Sequence, residues 1–497
     1  MKHENIPRSS RFPPFRNGLL VCLCITLLPA VLTMAGCGGL ASAAKTASTT
    51  SPPPTQQYPV PNSGASGMFF GMNTNLLANP WPGTMMPLTS WRSLGSSVKW
   101  ADIDTGKGVY DFSQLDSWLN KAKTNHADIL YTVYATPSWA SSRGPNCIGV
   151  GSPNSGCLGP TNTNCAFLQQ DGPGICDPPV DLFCDGTGSN QSFVNFVTAL
   201  IQHVGPGTIK YWEMWNEPNN PREWNGDADC AGTPHGGDLM LARMARDLKT
   251  VVSSFDPKAL FTTPACGSPD CAASWLPPYF ANTDGGSSAD IVAFHGYITT
   301  GGCPTDCPVP ELVGDQIDHL VAALPASELA KPMFDTEGGW GSVPGSKTVN
   351  SITDPDEQAS FLARYYLIQM SRHVAKFYWW SWDIPGQAAL YNASTNAITP
   401  AAGAYIQVVR WTNGGTASVG PCSATGTVWT CNLVSPNGVS AEAIWDTSQT
   451  CGGGNCSSAP VSIPSQFTAY LDLSGTETQL SGSSAPIGLK PILLISP

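Results

Sequence analysis

The sequence predicts an α/β protein: a (β/α)8 TIM barrel followed by a small all-β sandwich domain. Eight short apolar runs alternate with amphipathic helical segments, as expected of parallel strands joined by crossover helices. After about residue 414, short alternating runs separated by Gly, Ser and Asn turns replace this pattern. The 497 residues also exceed what one hydrophobic core usually holds. We therefore expect the barrel in residues 66–414 and the sandwich in residues 415–497.

Individual segments carry this prediction. The strand candidates are Phe69–Asn75, Pro87–Leu94, Ile129–Pro137, Ile209–Glu217, Leu260–Cys266, Ile291–Tyr297, Pro332–Glu337 and Phe377–Asp383. Apolar residues recur at helical spacing in Asp111–Thr124, Gln191–Val204, Gly237–Ser254, Glu311–Leu324 and Asp356–Val374. Sandwich strands are predicted at Thr427–Leu433, Ser440–Trp445, Gln466–Leu473 and Ile487–Ile495, with Trp429 and Trp445 in the core. In such a barrel the functional residues lie at the carboxyl ends of the strands.

The first 36 residues have the pattern of an export signal. Several cations precede an uncharged stretch from Gly18 to Gly36. Met34-Ala35-Gly36-Cys37 resembles a bacterial lipobox, which implies a lipidated Cys37 that attaches the chain to a membrane. An uncleaved membrane anchor and simple secretion are the alternatives, and all three place the folded part outside the cytoplasm. Residues 37–65, rich in Ala, Ser, Thr and Pro, are expected to be a linker.

Composition narrows the partners of the protein. Only 12% of the residues are charged and the net charge is −12. Because binding to a phosphate backbone needs a basic face, we predict no nucleic-acid partner. A surface built largely from Ser, Thr, Asn, Gln and Gly suits neutral ligands that form hydrogen bonds. No clustered acidic loop or Cys/His set of metal-binding spacing occurs, so neither a metal nor a cofactor is predicted.

The fourteen cysteines after Cys37 predict disulfides, because an even number in an oxidising compartment usually pairs. Local spacing favours Cys266–Cys271, Cys303–Cys307, Cys422–Cys431 and Cys451–Cys456. Six further cysteines allow many pairings and stay unassigned: Cys147, Cys157, Cys165, Cys176, Cys184 and Cys230.

Two strand candidates end in a glutamate. Trp215-Asn216-Glu217-Pro218 closes the fourth candidate, where the proline cannot donate to a strand ladder. Thr336-Glu337-Gly338-Gly339-Trp340 closes the seventh, where two glycines permit a sharp turn. Two carboxyls facing each other across a barrel mouth are what glycosidic bond cleavage needs, since one protonates the leaving oxygen and the other meets the oxocarbenium-like carbon.

These two strings resemble those of clan A retaining glycoside hydrolases, most closely the family 39-like branch, over about residues 66–400. The resemblance implies that Glu217 is the general acid/base, that Glu337 is the nucleophile and that Asn216 bonds the sugar 2-hydroxyl. In a retaining enzyme the two carboxyls lie about 5–5.5 Å apart. We therefore expect ionised Glu337 to raise the pKa of Glu217 by like-charge repulsion.

Other strand ends extend the resemblance. Arg92, near the end of the second strand candidate, matches an arginine that holds the nucleophile ionised. His295 and Tyr297 end the sixth candidate, where the tyrosine is expected to donate its hydroxyl to the nucleophile. Aromatic side chains at strand ends and adjoining loops are expected to stack on sugar rings; the candidates are Trp139, Trp224, Trp340 and Trp382.

Alternatives to these roles exist for each carboxyl. Glu213 lies an even number of residues from Glu217, and Asp335 from Glu337, so the side chains of each pair point to the same face of their strand. The catalytic roles could therefore be exchanged. Glu217 and Glu337 could also be structural carboxylates at loop starts. The favoured function is a retaining glycoside hydrolase acting on a poly- or oligosaccharide. The alternative is a surface lipoprotein that binds carbohydrate on the same barrel without cleaving it.

Overall fold

The structure is a computed structural model that describes residues 69–142, 174–226, 230, 236–298, 309–340 and 352–496. The predicted export signal, Cys37, the linker and the Cys303–Cys307 pair lie outside the described residues. None of the described helices is both long enough and apolar enough to cross a membrane.

Eight parallel strands form the barrel, which confirms the predicted fold class: β1 (Phe70–Asn73), β2 (Ser90–Arg92), β3 (Asp128–Val133), β4 (Tyr211–Met214), β5 (Leu260–Thr262), β6 (Val292–His295), β7 (Met333–Gly338) and β8 (Val374–Trp379). Hydrogen bonds link them in the order β5-β4-β3-β2-β1-β8-β7-β6. Isolated bridges between Thr262 and Ile291, and between Cys266 and Phe294, join β5 to β6. Because the strands are parallel, all their carboxyl ends meet at one mouth.

Helices surround the strands: α1 (Trp100–Ile103), α2 (Ser113–Thr124), α3 (Gln191–Val204), α4 (Gly236–Phe255), α5 (Pro269–Ala281), α6 (Thr283–Ser288), α7 (Leu312–Ala323), α8 (Pro355–Ser371) and α9 (Pro400–Trp411), with a 3-10 turn at Pro82–Thr84. Helix α3 buries Phe193, Phe196, Val197, Leu200 and Ile201, the apolar stripe of an amphipathic helix. Asp354 caps α8 by accepting from the backbone N–H groups of Asp356 and Glu357.

Several predicted strands extend beyond the observed ones; Ile129–Pro137 ends at Val133 and Leu260–Cys266 ends at Thr262. The boundary before β8 is also wrong. The helix predicted to reach Val374 ends at Ser371, and β8 begins at Val374 instead of Phe377. His373 has a left-handed backbone conformation with φ 56°, which ends the helix and turns the chain into the strand. Trp382 consequently lies in the loop after β8, beyond the strand to which the sequence pattern assigned it.

Short antiparallel strands follow the barrel, as predicted. They are β9 (Tyr391–Asn392), β10 (Ala397–Ile398), β11 (Ser418–Val419), β12 (Ser423–Thr425), β13 (Val428–Val434), β14 (Ser440–Asp446), β15 (Cys451–Gly452), β16 (Asn455–Cys456), β17 (Ser458–Ser462), β18 (Ala469–Leu471), β19 (Glu477–Gln479), β20 (Ser484–Gly488) and β21 (Ile492–Ile495). The large sheet runs β11-β13-β14-β21-β18-β19, β12 pairs with β13, and β17 pairs with β20. Trp445 is fully buried, whereas Trp429, stacked on it 6.0 Å away, is only half-buried.

Barrel and sandwich share a core. Glu311 and Arg364 form a buried ion pair between barrel helices, with 2.9 Å between Oε1 and Nη1. The indole of Trp445, from the sandwich, donates to the same carboxylate oxygen at 2.7 Å. The predicted boundary near residue 414 falls between α9 and β11, and it stays a prediction.

The cysteines pair partly as predicted. Cys422–Cys431 and Cys451–Cys456 are disulfides, and Cys184 pairs with Cys230. The predicted Cys266–Cys271 disulfide is wrong, because both side chains are free thiols. Close spacing in sequence is therefore not sufficient evidence for a disulfide.

Candidate active site

The barrel mouth gathers the polar strand-end residues. Arg92 is the last residue of β2, His295 is the last of β6, and Glu337 lies one residue before the end of β7. Glu217 follows β4 after two intervening residues. The structure brings these four together with Asn216 and Tyr297, so all six polar residues selected from the strand ends meet in one cluster.

Arg92 is the hub of this cluster. Its fully buried guanidinium donates from Nε to Glu213 Oε2 at 2.8 Å, from Nη1 to Glu337 Oε2 at 2.8 Å and from Nη2 to Asn216 Oδ1 at 2.9 Å. Burial would lower the pKa of Arg92, but the carboxylates of Glu213 and Glu337 outweigh it and raise the pKa. The guanidinium therefore stays charged and fixes three side chains relative to one another.

Both oxygens of Glu337 have a donor. Besides Arg92 on Oε2, the hydroxyl of Tyr297 donates to Oε1 at 3.0 Å. Burial, followed by the negative charges of Glu337 and Glu217, holds the pKa of Tyr297 well above its ordinary value. The tyrosine thus stays protonated and remains a hydrogen-bond donor to Glu337.

Glu217 is bound differently. His295 Nδ1 lies 2.9 Å from its Oε1, and Asn220 Nδ2 donates to its Oε2 at 3.2 Å. Burial raises the pKa of Glu217, but His295, Asn220 and Arg92 outweigh it, so the pKa is lowered. The expectation that Glu337 raises the pKa of Glu217 is therefore wrong for the free protein, because His295 places a stronger, opposite influence beside it.

His295 shows the reciprocal effect. Burial lowers its pKa, but the carboxylates of Glu337 and Glu217 outweigh burial and raise it. Both shifts favour the charged forms, which are the imidazolium of His295 and the carboxylate of Glu217. The pair still stores one proton next to the barrel mouth.

One oxygen of Glu217, one oxygen of Glu337 and one nitrogen of His295 all lie within 4.8 Å of one another. By ligand type and number, this trio could hold a divalent metal. However, the guanidinium of Arg92 already lies 2.8 Å from Glu337 Oε2 and repels a second cation there. The donor set therefore fits a metal poorly and fits a pair of acid–base carboxyls well.

Glu213 and Asp335, the alternative carboxyls, have no exposed surface, whereas the side chains of Glu217 and Glu337 are 19% and 9% exposed. Glu213 accepts from Arg92 and, at 2.7 Å, from the hydroxyl of Thr132. A substrate cannot reach either alternative, so exchanged catalytic roles do not fit.

Asp335 is held by the backbone N–H groups of Gly296 at 2.8 Å and Glu337 at 3.2 Å, and it also contacts the side-chain amide of Gln369. Burial raises the pKa of Asp335 to about 8, against the opposing influence of His295 and these hydrogen bonds. This carboxyl ties the loop after β6 to β7, which is a structural role.

The expectation of sugar platforms fails for three tryptophans. Trp224 and Trp340 are each 2% exposed and Trp382 is not exposed, so their rings have no free face for a sugar. Trp139 is half-buried and donates to the carbonyl of Asp104 at 3.3 Å. Trp380, at the end of β8, is also half-buried, and its indole bonds the side chain of Gln387.

The backbone around Glu217 is strained. Trp215 and Glu217 have positive φ angles of 65° and 41°, which L-residues other than glycine rarely adopt. Gly267 permits this placement, because a Cβ there would lie 3.1 Å from Glu217 Oε1. Sequence reasoning missed both Gly267 and Asn220. Asn220 follows Glu217 by only three residues, and that proximity was the one available signal.

The chain is similar to several solved structures. A family 39 glycoside hydrolase from the gut symbiont Bacteroides cellulosilyticus WH2 matches with a TM-score of 0.57 and 14% identity, over 88% of this chain and 83% of that one. A family 30 subfamily 8 xylanase from Clostridium acetobutylicum matches with a TM-score of 0.49 and 14% identity, over 88% and 98%. A scan of protein-family models and a search of curated protein sequences each find no match. The first similarity establishes the fold, which is the barrel used by a family 39 glycoside hydrolase.

Proposed function

We propose that the protein is a retaining glycoside hydrolase that cleaves O-glycosidic bonds of a poly- or oligosaccharide, with Glu217 as acid/base and Glu337 as nucleophile. The observation that carries the proposal is the approach of a Glu217 oxygen to within 4.8 Å of a Glu337 oxygen at the barrel mouth. Retaining enzymes separate their carboxyls by about 5–5.5 Å, whereas inverting enzymes need about 6.5–9.5 Å to admit a water. The fold shared with a family 39 glycoside hydrolase supports the same proposal.

The reaction proceeds by two displacements. Glu337, held by hydrogen bonds from Arg92 and Tyr297, attacks the anomeric carbon while Glu217 gives its proton to the leaving oxygen. Glu217 then takes a proton from a water, which attacks the same carbon and releases Glu337. Asn216, fixed by Arg92, is placed to bond a hydroxyl beside the anomeric carbon.

His295 supplies the proton for the first step. In the free protein the lowered pKa of Glu217 and the raised pKa of His295 favour a carboxylate beside an imidazolium. A bound sugar excludes water from Glu217, which favours its neutral form. The imidazolium of His295 then gives its Nδ1 proton across the 2.9 Å hydrogen bond and becomes a neutral imidazole, which keeps its hydrogen on Nε2. Glu217 is then protonated when Glu337 attacks.

The proposed site of action is outside the cytoplasm, with Cys37 lipidated and the linker spanning from the membrane to the barrel. Three described disulfides support an oxidising compartment, in which such bonds form and persist. Mass spectrometry of the mature protein tests this, because a lipid on Cys37 adds a diacylglycerol mass that Cys37→Ala removes.

The hydrolase proposal is tested with the purified protein on a panel of polysaccharides, with new reducing ends as the readout. Glu217→Gln and Glu337→Gln should each abolish the reaction, and Glu442→Gln, in the half-buried outer part of β14, should leave it unchanged. NMR of the first product should show retention of the anomeric configuration. Hydrolysis that survives both active-site substitutions would contradict the assignment, and binding without hydrolysis by the parent protein would favour a carbohydrate-binding protein.

A further inference from the structure

A buried polar cluster lies between β7 and α8, behind the proposed active site. Its members are Asp335 of β7 and Tyr365 and Gln369 of α8, and none of the three has exposed surface. Tyr365 and Gln369 are four residues apart, so they share one face of the helix. Gln369 Nε2 donates to Asp335 Oδ2, and the Tyr365 hydroxyl lies 3.3 Å from the same oxygen. Because it is buried, this cluster cannot touch a substrate.

The cluster holds the backbone of two strand ends. The N–H of Gly296, just after β6, donates to Asp335 Oδ1 at 2.8 Å, and its carbonyl accepts from the Tyr365 hydroxyl at 2.6 Å. The N–H of Glu337, in β7, donates to the same Asp335 oxygen at 3.2 Å. Both backbone polar groups of Gly296 are thus fixed relative to the strand that carries the proposed nucleophile.

Gly296 lies between the two side chains that contact the proposed catalytic carboxyls. His295, before it, is 2.9 Å from Glu217, and Tyr297, after it, is 3.0 Å from Glu337. A side chain moves with its backbone, so a displacement of Gly296 would change both distances. The two hydrogen bonds on Gly296 therefore set the geometry of both carboxyls at once.

Two glycines leave the space that the Tyr365 hydroxyl occupies. A Cβ on Gly296 would collide with this hydroxyl and with Asp335 Oδ2, and a Cβ on Gly338 would lie 2.5 Å from the hydroxyl. Neither glycine has a positive φ angle. Room for one hydroxyl, and not an unusual backbone conformation, therefore accounts for glycine at these two positions.

Asp335 fits this arrangement as a neutral acid. Burial raises its pKa to about 8, against the opposing influence of His295 and of its hydrogen bonds. The Tyr365 hydroxyl has one hydrogen, which its shorter contact assigns to Gly296. A protonated Asp335 Oδ2 can donate to the hydroxyl oxygen across 3.3 Å, while Oδ1 accepts from the two N–H groups. All oxygens of Asp335 and Tyr365 then have partners without a buried charge.

We propose that Tyr365 and Asp335 are positioning residues: by fixing the backbone at Gly296, they hold the groups that orient the catalytic acid/base and the nucleophile. The inference rests on the proposed hydrolase function and specifies how the two carboxyls of that function are kept in place. Since neither residue touches a substrate, the loss of their hydrogen bonds should lower kcat and leave KM nearly unchanged.

Tyr365→Phe and Tyr366→Phe are a matched pair of variants. Each removes one fully buried hydroxyl from α8, but the hydroxyl of Tyr366 has no hydrogen-bond partner among the described residues. On a polysaccharide that the parent protein hydrolyses, Tyr365→Phe should lower kcat about tenfold with KM within about twofold. Tyr366→Phe should leave both constants unchanged.

Two substitutions of Asp335 give a second test. Asparagine reproduces the neutral acid, because its oxygen accepts from the two N–H groups and its amide donates to Tyr365, while Gln369 can turn its own amide to accept the second hydrogen. Asp335→Asn should therefore retain kcat within about threefold, whereas Asp335→Ala should lower it as Tyr365→Phe does. A large loss in Asp335→Asn would overturn the inference, because it would mean that Asp335 acts through a charge.

Histidine-selective NMR tests the positioning without any substrate. The chain has seven histidines, and His295→Gln identifies the imidazole resonance of His295 in ¹⁵N-histidine-labelled protein. Tyr365→Phe should shift this resonance, and Tyr366→Phe should not. An unmoved resonance or a parental kcat in Tyr365→Phe overturns the inference. If the parent protein hydrolyses no polysaccharide, the proposed function fails, while the His295 resonance still decides the positioning.

Discussion

Replacement of Lys376 by methionine tests how the barrel accommodates a charge in its interior. The side chain is completely buried, and its amino group lies 5.3 Å from the ring centroid of Tyr211 and 6.0 Å from those of Phe334 and Tyr378. Burial lowers the pKa of Lys376 to about 7, with Asp128 opposing the change and Lys210 adding to it. Folding therefore disfavours the charged form of this lysine.

The magnitude follows from the two states of the chain. Lowering the pKa of Lys376 from 10.5 to about 7 means that the folded protein disfavours the charged form by about 5 kcal/mol. Attraction between the ammonium and the three rings offsets roughly 2 kcal/mol of this cost. Between about pH 7 and 10.5 the unfolded chain binds the proton and the folded protein does not, so stability rises with pH in this window. Lys376→Met should therefore stabilise the protein by about 3 kcal/mol at pH 6, with a smaller gain at pH 9.

Urea unfolding at pH 6 and pH 9, followed by tryptophan fluorescence, measures both values. Lys258→Met, which removes an exposed lysine, is the control and should change the free energy of unfolding little at either pH. A loss of stability in Lys376→Met, or a gain that is the same at both pH values, would refute the reasoning, because either result means that folding does not disfavour the charge on Lys376.

Three further substitutions probe the site and the junction. Arg92→Met leaves buried carboxylates uncompensated, so it should lower the free energy of unfolding by about 3–5 kcal/mol and abolish hydrolysis. Near-parental stability in urea would contradict this expectation. Glu311→Gln breaks the buried pair that also bonds the sandwich, so it should lower the calorimetric Tm of a single shared transition; an unchanged Tm would show that the pair contributes nothing. Gly267→Ala places a methyl group 3.1 Å from Glu217 Oε1 and displaces this carboxyl, so it should lower kcat about tenfold with little change in Tm. An unchanged kcat would mean that the loop adjusts freely.

The barrel was predictable because its strands are continuous apolar runs and its helices carry a regular apolar stripe. Strand boundaries were harder to predict. The start of β8 depends on where α8 ends, and that end depends on the left-handed conformation of a single residue, His373. Six members of the polar cluster were predictable, because parallel strands bring all their carboxyl ends to one mouth, whereas Asn220 lies in the loop after Glu217 and was missed. The burial of the tryptophans could not be predicted from the sequence, because it depends on the packing of loops that are distant in sequence.

The sequence by itself determined the (β/α)8 architecture and the strand ends at which Arg92, Glu217, His295 and Glu337 lie. Only the tertiary structure decided which groups receive the hydrogen bonds of Arg92, and that His295 and Asn220 both contact Glu217. The physical reason is that residue type and periodicity are local properties of the chain. Protonation and hydrogen bonding instead depend on distances of a few ångströms between groups from different strands, which only the closed barrel sets.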